Sequence, residues 1–296
     1  MRFGVCLSNY GKTLSVGILR KTAVEAEKLG YSSVWTTDHL LMPAESGTPY
    51  ERILESVTTL AYLATITKKV KIGISSLVLP MRNPVVVAKQ LATVDVLSAG
   101  RLMLVAGAGW NETEYEHLGS NFHDRGGRLD ESIRLIKILW RGERSFDSRL
   151  IPERFSEAMF EPRPVQKKLP LWIGGTSGAA MKRAINLGDA WHPDARPLDE
   201  FKELVRKFRN MQGGSQKPIT ARTALNVKTR ETVHKGVKGE DLLNLSRDVK
   251  KDEEIVEGLR KLGVSHLIVE INFDGSFPLK TQMENLRFFA KHFIGH

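Results

Sequence analysis

The chain has 296 residues, 41% of them hydrophobic, which suits a single α/β barrel that carries an insertion. Charged residues make up 26%, so the composition is that of a globular protein with a full core and excludes extensive disorder. The formal net charge is +10, but Lys and Arg are mixed with acids and form no long basic run. We therefore expect no nucleic-acid partner.

The single cysteine, Cys6, lies in an apolar run and cannot form an intrachain disulfide. We interpret it as a small buried hydrophobic residue. The N-terminus shows no signal-peptide pattern, and no apolar run approaches the ~20 residues of a membrane helix. We expect a cytoplasmic protein with no membrane partner.

Strand-like and helix-like segments alternate along the chain. Apolar and β-branched runs predict strands at residues 2–7, 33–37, 70–79, 102–106, 171–173, 190–192, 219–227 and 266–271. Helical spacing predicts helices near residues 19–29, 54–64, 84–100, 129–140, 179–187, 201–208, 253–262 and 283–293. These units predict one domain over residues 1–296, an α/β fold of the (β/α)8 TIM-barrel type. A doubly wound sheet is the alternative, but eight units in this length favour closure.

The segment between the fourth and fifth strands, about residues 110–170, is too long for one βα loop. It holds one of the predicted helices, followed by an irregular stretch with Pro152, Pro162 and Pro164. We expect an insertion over the barrel mouth.

Active sites of such barrels lie at the carboxyl ends of the strands, so polar residues there are the candidates. Asp38 and His39 follow the second strand and form a candidate acid–base or hydrogen-bonding pair, although a helix cap beside a surface imidazole is the alternative. In the third strand, Ser75 and Ser76 offer hydroxyls to a polar ring, or serve ordinary turn chemistry.

Glycines mark the ends of the next two strands. Gly107 and Gly109 would let the backbone approach a ligand closely, or simply form a turn. After the fifth strand a helix opens with Gly174, Gly175, Thr176 and Ser177. Exposed backbone N–H groups at a helix start attract phosphate, and a plain N-cap is the alternative.

A glycosidase is a less favoured interpretation. Asn111 and Glu112 follow the fourth strand, but this chemistry needs a second acid at a nearby strand end. The seventh strand ends in 226–228 without an acid, and Glu270 lies within the eighth strand.

We expect no metal, because the first strand lacks paired histidines. His292 and His296 stand four apart at the extreme C-terminus, without an evident third ligand.

Seven sequence motifs are similar to those of a known group of proteins: residues 35–40, 79–84, 97–101, 107–110, 162–166, 172–175 and 189–191. As a set they resemble the luciferase-like monooxygenase superfamily, and within it the F-420-dependent oxidoreductases. The resemblance covers nearly all of the chain up to about Pro193. It implies an oxidoreductase whose barrel mouth holds a deazaflavin or flavin ring, with coenzyme F-420 as the expected cofactor and FMN as the alternative.

The resemblance also implies roles for residues. His39 is the expected proton donor or acceptor in a hydride transfer, and Asp38 would hold the ring or orient His39. A non-prolyl cis peptide would join Ser75 and Ser76 in a bulge that supports the cofactor. Some F-420 enzymes place a glutamate where this chain has Trp110, so a mechanism that needs that acid is not expected here.

The remaining site residues have implied roles as well. Gly107 and Gly109 match the cofactor wall, and residues 174–177 match a phosphate-binding loop. The substrate would be a small organic molecule, which the sequence does not specify. The resemblance further implies a homodimer. An FMN-dependent monooxygenase and a non-catalytic flavin-binding relative are the alternative functions.

Overall fold

A computed structural model describes residues 1–44, 46–148, 151–152, 154–225, 228, 231–236 and 239–295. Its strands are β1 (Arg2–Cys6), β2 (Ser33–Thr36), β3 (Lys71–Val78), β4 (Leu102–Gly107), β5 (Leu171–Gly174), β6 (Ala190–His192), β7 (Ile219–Leu225), β8 (Val233–Lys235), β9 (Asp241–Leu245) and β10 (Val264–Glu270). Its helices are α1 (Val16–Lys28), α2 (Ser56–Ile66), α3 (Pro84–Leu97), α4 (Glu112–His117), α5 (Arg125–Arg141), α6 (Gly178–Leu187), α7 (Leu198–Asn210), α8 (Val249–Lys261) and α9 (Leu279–Phe293).

Eight parallel strands close into a barrel in the order β1-β2-β3-β4-β5-β6-β7-β10. Closure is made by β10, because Val269 pairs with Val5 of β1 on one side and with Thr223 of β7 on the other. The predicted (β/α)8 barrel is confirmed, and the doubly wound alternative is wrong.

Two apolar layers hold the barrel together. Inside it lie Cys6, Trp35, Val105, Trp172, Ala190 and Ile268, which pack as one buried cluster. Outside it, a larger cluster joins the strands to the surrounding helices. Burial raises the pKa of the Cys6 thiol to about 11, as expected for a small buried hydrophobic residue.

Capping side chains start two of the helices that border the mouth. Asn83 accepts hydrogen bonds from the backbone N–H groups of Val85 and Val86, and Pro84 occupies the first turn of α3, where a missing N–H is tolerated. Ser177 caps α6 in the same way, with its hydroxyl 3.1 Å from the nitrogen of Ala180.

Several elements differ from the sequence expectation. The antiparallel β8–β9 hairpin and the short helix α4 were not predicted, because each is too short to show a periodic pattern. The helix expected in the 110–170 segment is present as α5 and packs against α3 and α6. Asn226 and Val227, assigned to the seventh strand, lie outside the described residues, as does His296.

Among the described residues, no helix is long and apolar enough to cross a membrane. The described part of the chain also holds no group of three or more His, Cys, Asp or Glu side chains placed to bind a metal ion.

Candidate active site

A cavity of about 740 Å³ opens at the carboxyl ends of the barrel strands. The ten residues that the sequence assigned to the cofactor and catalytic site line it: Asp38, His39, Ser75, Ser76, Gly107, Gly109, Gly174, Gly175, Thr176 and Ser177. The fold therefore brings together residues from four separate strand ends, and their chemical roles stay predictions.

One wall of the cavity is a bulge in β3. Ile74 pairs with Leu104 and Leu77 with Ala106, so β3 holds one more residue than β4 between these pairs. The peptide bond between Ser75 and Ser76, within this bulge, is cis.

Two glycines make room for this bulge. A Cβ added at Gly107 would lie 3.0 Å from the Cβ of Ser76, and one added at Gly174 would lie 2.8 Å from its Oγ. A side chain at either position would crowd the neighbouring serine, so the first role of both glycines is packing within the barrel. The same arrangement leaves a wall of backbone and one small hydroxyl facing the cavity.

The Asp38 carboxylate is almost fully engaged by the protein itself. It accepts hydrogen bonds from the Ser56 hydroxyl (2.6 Å), the Val78 backbone N–H (2.9 Å) and the Arg82 guanidinium (2.6 Å). Its side chain is buried, and none of these bonds involves His39. The interpretation that Asp38 orients His39 is therefore corrected: Asp38 ties the end of β2 to α2 and to the end of β3.

The partner of His39 is Glu114, on α4. The imidazole Nδ1 lies 2.8 Å from one oxygen of this buried carboxylate, while the other oxygen accepts from the backbone N–H groups of Leu40 (2.6 Å) and Leu41 (3.3 Å). Burial alone would raise the pKa of Glu114, but the His39 contact and the two N–H groups outweigh it and lower that pKa. An ionised Glu114 accepts a hydrogen bond from the N–H at Nδ1. When the imidazole is neutral, its lone pair therefore lies on Nε2.

Two aromatic rings fix the plane of this imidazole. The Tyr50 ring stacks on His39 with centroids 4.8 Å apart, and the Trp110 ring meets it edge-on at 5.7 Å. All three side chains line the cavity. No described residue bonds the Nε2 of His39, so this nitrogen is available to a ligand.

The loop after β5 forms a second part of the cavity. Ser177 caps α6, and the Thr176 hydroxyl has no hydrogen bond to the described residues. Arg125 and Arg183 line the cavity with this loop, and Arg183 is held by an ion pair to Asp130. The start of a helix with two cations beside it suits an anionic group.

Residues 1–235 match the family model of luciferase-like monooxygenases. The chain belongs to the luciferase-like monooxygenase family.

Curated relatives of this luciferase-like chain use more than one cofactor. A full-length relative is an uncharacterised protein of Mycobacterium tuberculosis, 26% identical over 92% of this chain and 93% of its own length. An F-420-dependent glucose-6-phosphate dehydrogenase of Kineococcus radiotolerans is 32% identical over 64% of this chain and 56% of its own. An FMNH2-dependent dimethylsulfone monooxygenase of Pseudomonas putida is 30% identical over 64% of this chain and 52% of its own. These two named relatives are oxidoreductases that match over about half of their length.

The fold agrees with this membership. A solved F-420-dependent secondary alcohol dehydrogenase superposes with a TM-score of 0.79, over 98% of this chain and 97% of its own, at 18% identity. At that identity the likeness shows the shared luciferase-like barrel alone.

The floor of the luciferase-like cavity is polar and was not anticipated. Arg222 of β7 lies 2.6 Å from the Glu270 carboxylate and 3.1 Å from the Thr37 hydroxyl, and it donates to the backbone carbonyl of Ser75. The Tyr10 hydroxyl donates to Glu270 as well. Arg222 thus braces the bulge from across the barrel while its charge is balanced.

This floor also answers the glycosidase alternative. Glu270 is held by Arg222 and Tyr10, and Glu112 is exposed on α4, where it lies 3.4 Å from His123. Glu112 does not line the cavity, so the two acids do not form the facing pair that glycoside hydrolysis needs.

Beneath the bulge lies a second histidine, His192. Its ring bonds the hydroxyls of Ser75 (3.1 Å) and Thr220 (2.7 Å). Burial, with smaller effects of Arg222 and His266, lowers the pKa of His192 to about 3. His192 therefore stays neutral and acts as packing and hydrogen-bonding support.

Of the residues that sequence reasoning missed, Glu114 left a signal. Asn111 caps α4, and Glu114 stands three residues later, at the spacing of a capping box. That spacing marks a glutamate near a strand end, but only the fold shows that its carboxylate turns to His39. Arg222 and Tyr10 left no such signal, because their partners are distant in the chain.

Proposed function

We propose that the chain is an F-420-dependent oxidoreductase that transfers a hydride between the coenzyme and an organic substrate. The observation that carries this proposal is the His39–Glu114 pair at the cavity wall. It provides an imidazole whose Nε2 has no bond to the described residues, so this nitrogen can exchange a proton with the substrate.

The residues present fit a planar ring with an anionic chain. The wall of Ser76, Gly107 and Gly174 offers a flat face and a hydroxyl with no bond to the described residues, which suits a heterocyclic ring. The loop of Thr176 with the nearby Arg125 suits the phosphate-bearing chain.

The bound deazaflavin would supply or accept the hydride. His39 would move the accompanying proton through Nε2, with Glu114 holding the proton on Nδ1 and stabilising the imidazolium. Tyr50 and Trp110 would keep the His39 imidazole in one orientation and exclude water from it.

F-420 is preferred to FMN because its phosphodiester and acidic tail suit the cations beside the loop after β5 and the basic balance of the chain. The runner-up is an FMN-dependent monooxygenase, which the FMNH2-dependent relative favours. A flavin-binding protein without turnover is the third alternative.

The test is anaerobic oxidation of reduced F-420 with a panel of carbonyl and imine compounds, followed by absorbance. We expect at least one compound to reoxidise the coenzyme with the wild type, and a loss of about 10²–10⁴-fold in rate with His39→Gln. Reaction only with reduced FMN and oxygen would contradict the proposal and favour the monooxygenase. Coenzyme binding without any turnover would favour the binding protein.

A further inference from the structure

Asp194 lies across the cavity from His39. It follows β6, whereas His39 follows β2, and these strands stand four places apart in the ring of eight. Both residues line the cavity. A substrate held between them would have His39 on one side and Asp194 on the other.

Asp194 differs from the other carboxylates of this half of the cavity. Glu270 is paired with Arg222, and Asp274 with Lys228. Asp194 is exposed to the cavity. Among the described residues, no side chain forms a hydrogen bond or ion pair with this carboxylate.

Two described cations near Asp194, Arg196 and Arg222, have partners of their own. Arg196 donates to the backbone carbonyl of Asp241 (3.1 Å) and lies 3.9 Å from the carboxylates of both Glu200 and Glu240. Arg222 is bonded to Glu270. Although Asp194 is exposed to the cavity, the cavity walls partly desolvate it and raise its pKa, and Arg222 opposes this rise, so a bound positive charge would favour the ionised form.

Aromatic side chains line the same cavity. Tyr50, Trp110 and Phe273 present rings to it. Ring faces attract ammonium groups, and the attraction is stronger where water is excluded. Tyr50 and Trp110 lie on the His39 side, so a substrate that spans the cavity would meet these rings at one end and the carboxylate of Asp194 at the other.

We propose that Asp194 binds a positively charged nitrogen of the substrate, so that the substrate class is a small organic amine or iminium compound. This inference rests on the proposed function in taking the cavity as the substrate site. Anionic substrates such as carboxylates are disfavoured, because a second negative charge beside an unpaired carboxylate in a partly desolvated site is repelled.

The experiment uses two probes of similar shape, benzylamine, which is protonated at pH 7, and benzyl alcohol, which is neutral. Their affinities for the full chain without coenzyme are measured by calorimetry. We expect the wild type to bind benzylamine at least tenfold more tightly than benzyl alcohol. Asp194→Asn should remove this preference, because the amide keeps the shape and loses the charge.

Asp199→Asn is the matched control. It makes the same substitution at an exposed acid on α7 that does not line the cavity, so the preference for benzylamine should persist. Melting temperatures of both variants check that each is folded. If Asp194→Asn does not fold, the comparison of the two probes on the wild type still decides.

Equal affinities of the wild type for the two probes, or an unchanged preference in folded Asp194→Asn, would overturn the proposal. The failure of the proposed function is separate, because it is read from F-420. A chain that prefers benzylamine but binds no F-420 keeps this inference and loses the coenzyme. A chain that binds F-420 but shows no preference keeps the coenzyme and loses this inference.

Discussion

The tautomer of His39 depends on which hydrogen bonds each of the two carboxylate oxygens of Glu114 accepts. One oxygen accepts from the backbone N–H groups of Leu40 and Leu41, so only the other is free for the imidazole. An ionised carboxylate can accept at both places. In the neutral form of His39 the proton therefore lies on Nδ1, and the lone pair lies on Nε2.

Glu114→Gln should reverse this tautomer. The two backbone N–H groups require the amide oxygen, so the amide nitrogen must face His39 and Nδ1 must become the acceptor. In the Ser-His-Asp triad an amide in place of the carboxylate acts in this way. The ¹⁵N chemical shifts of the ring should show Nε2–H in the variant, with turnover lowered by about 10²–10⁴-fold.

Glu112→Gln is the control, since this exposed glutamate lies two residues away on the same helix. It should leave the His39 shifts unchanged. A ring that stays Nδ1–H in Glu114→Gln would remove Glu114 from its positioning role.

The sequence predicted some residues of the site and missed others. Asp38 and His39 were found because they directly follow a buried strand, where barrels place their ligand contacts. Glu114 and Arg222 act on residues 75 and 147 positions away, a separation that only the closed barrel brings into contact. Asp38 was expected to pair with His39 because the two are adjacent in sequence. In the structure Asp38 binds Arg82 instead, and His39 binds Glu114.

Among the elements, the junction of β2, β3 and α2 depends on Asp38. Arg82 and Asp38 form a buried pair whose side chains are 10% and 1% exposed. Burial lowers the pKa of Arg82, but the carboxylates of Asp38 and Glu55 outweigh it and raise the net value. Arg82 is therefore held in its charged form, and its bond to Asp38 fastens the wall of the cavity.

Asp38→Asn should cost about 1.5–3 kcal/mol in the free energy of unfolding, because it removes one of the two carboxylates that bind the buried Arg82 and leaves only Glu55. Urea denaturation measures this cost. Glu203→Gln, which breaks an exposed pair with Arg206, should cost under about 1 kcal/mol. Equal losses of unfolding free energy in the two variants would contradict the role of Asp38 in holding β2, β3 and α2 together.

The β3 bulge and the end of β5 fit together through Gly174. Gly174→Ala places a methyl group 2.8 Å from the Ser76 Oγ, so we expect a loss of about 1–3 kcal/mol and weaker coenzyme binding. Gly178→Ala, in the first turn of α6, meets nothing within 4 Å and should not destabilise the protein. Thermal unfolding and coenzyme titration of the two variants make the comparison; a harmless Gly174→Ala would contradict the close packing.

Elements with long apolar periodicity were predicted to within a few residues. The eight barrel strands were all located, since β-branched runs between glycines and prolines recur along the chain. The β8–β9 hairpin was missed, because Val233–Lys235 has only three residues, two of them half-buried and one exposed. Its inward residues became part of the cavity only through its pairing with β7.

For the whole molecule, two buried histidines predict loss of stability in acid. Burial lowers the pKa of His192 to about 3 and that of His266 to about 4, against an unfolded value of 6.5. Between pH 6.5 and about 4 the unfolded chain binds more protons than the folded one, so stability is complete above pH 6.5 and falls as the pH decreases. Each histidine contributes a slope of about 1.4 kcal/mol per pH unit.

Urea denaturation from pH 7 to pH 4 should show this slope in the wild type, and a smaller one in His266→Gln. His123→Gln, at an imidazole that is 83% exposed, should leave the slope unchanged. A stability that does not change over this range would contradict the neutral state of the buried rings.

The expected homodimer stays a prediction.

The central claim is that this cavity holds a deazaflavin, and direct titration of the purified chain tests it. Coenzyme F-420 and FMN are added separately, and the change in their fluorescence gives each affinity. The account predicts that F-420 binds more tightly than FMN, and that binding weakens in Gly174→Ala but not in Gly178→Ala. Tighter binding of FMN, or binding of neither, would contradict it.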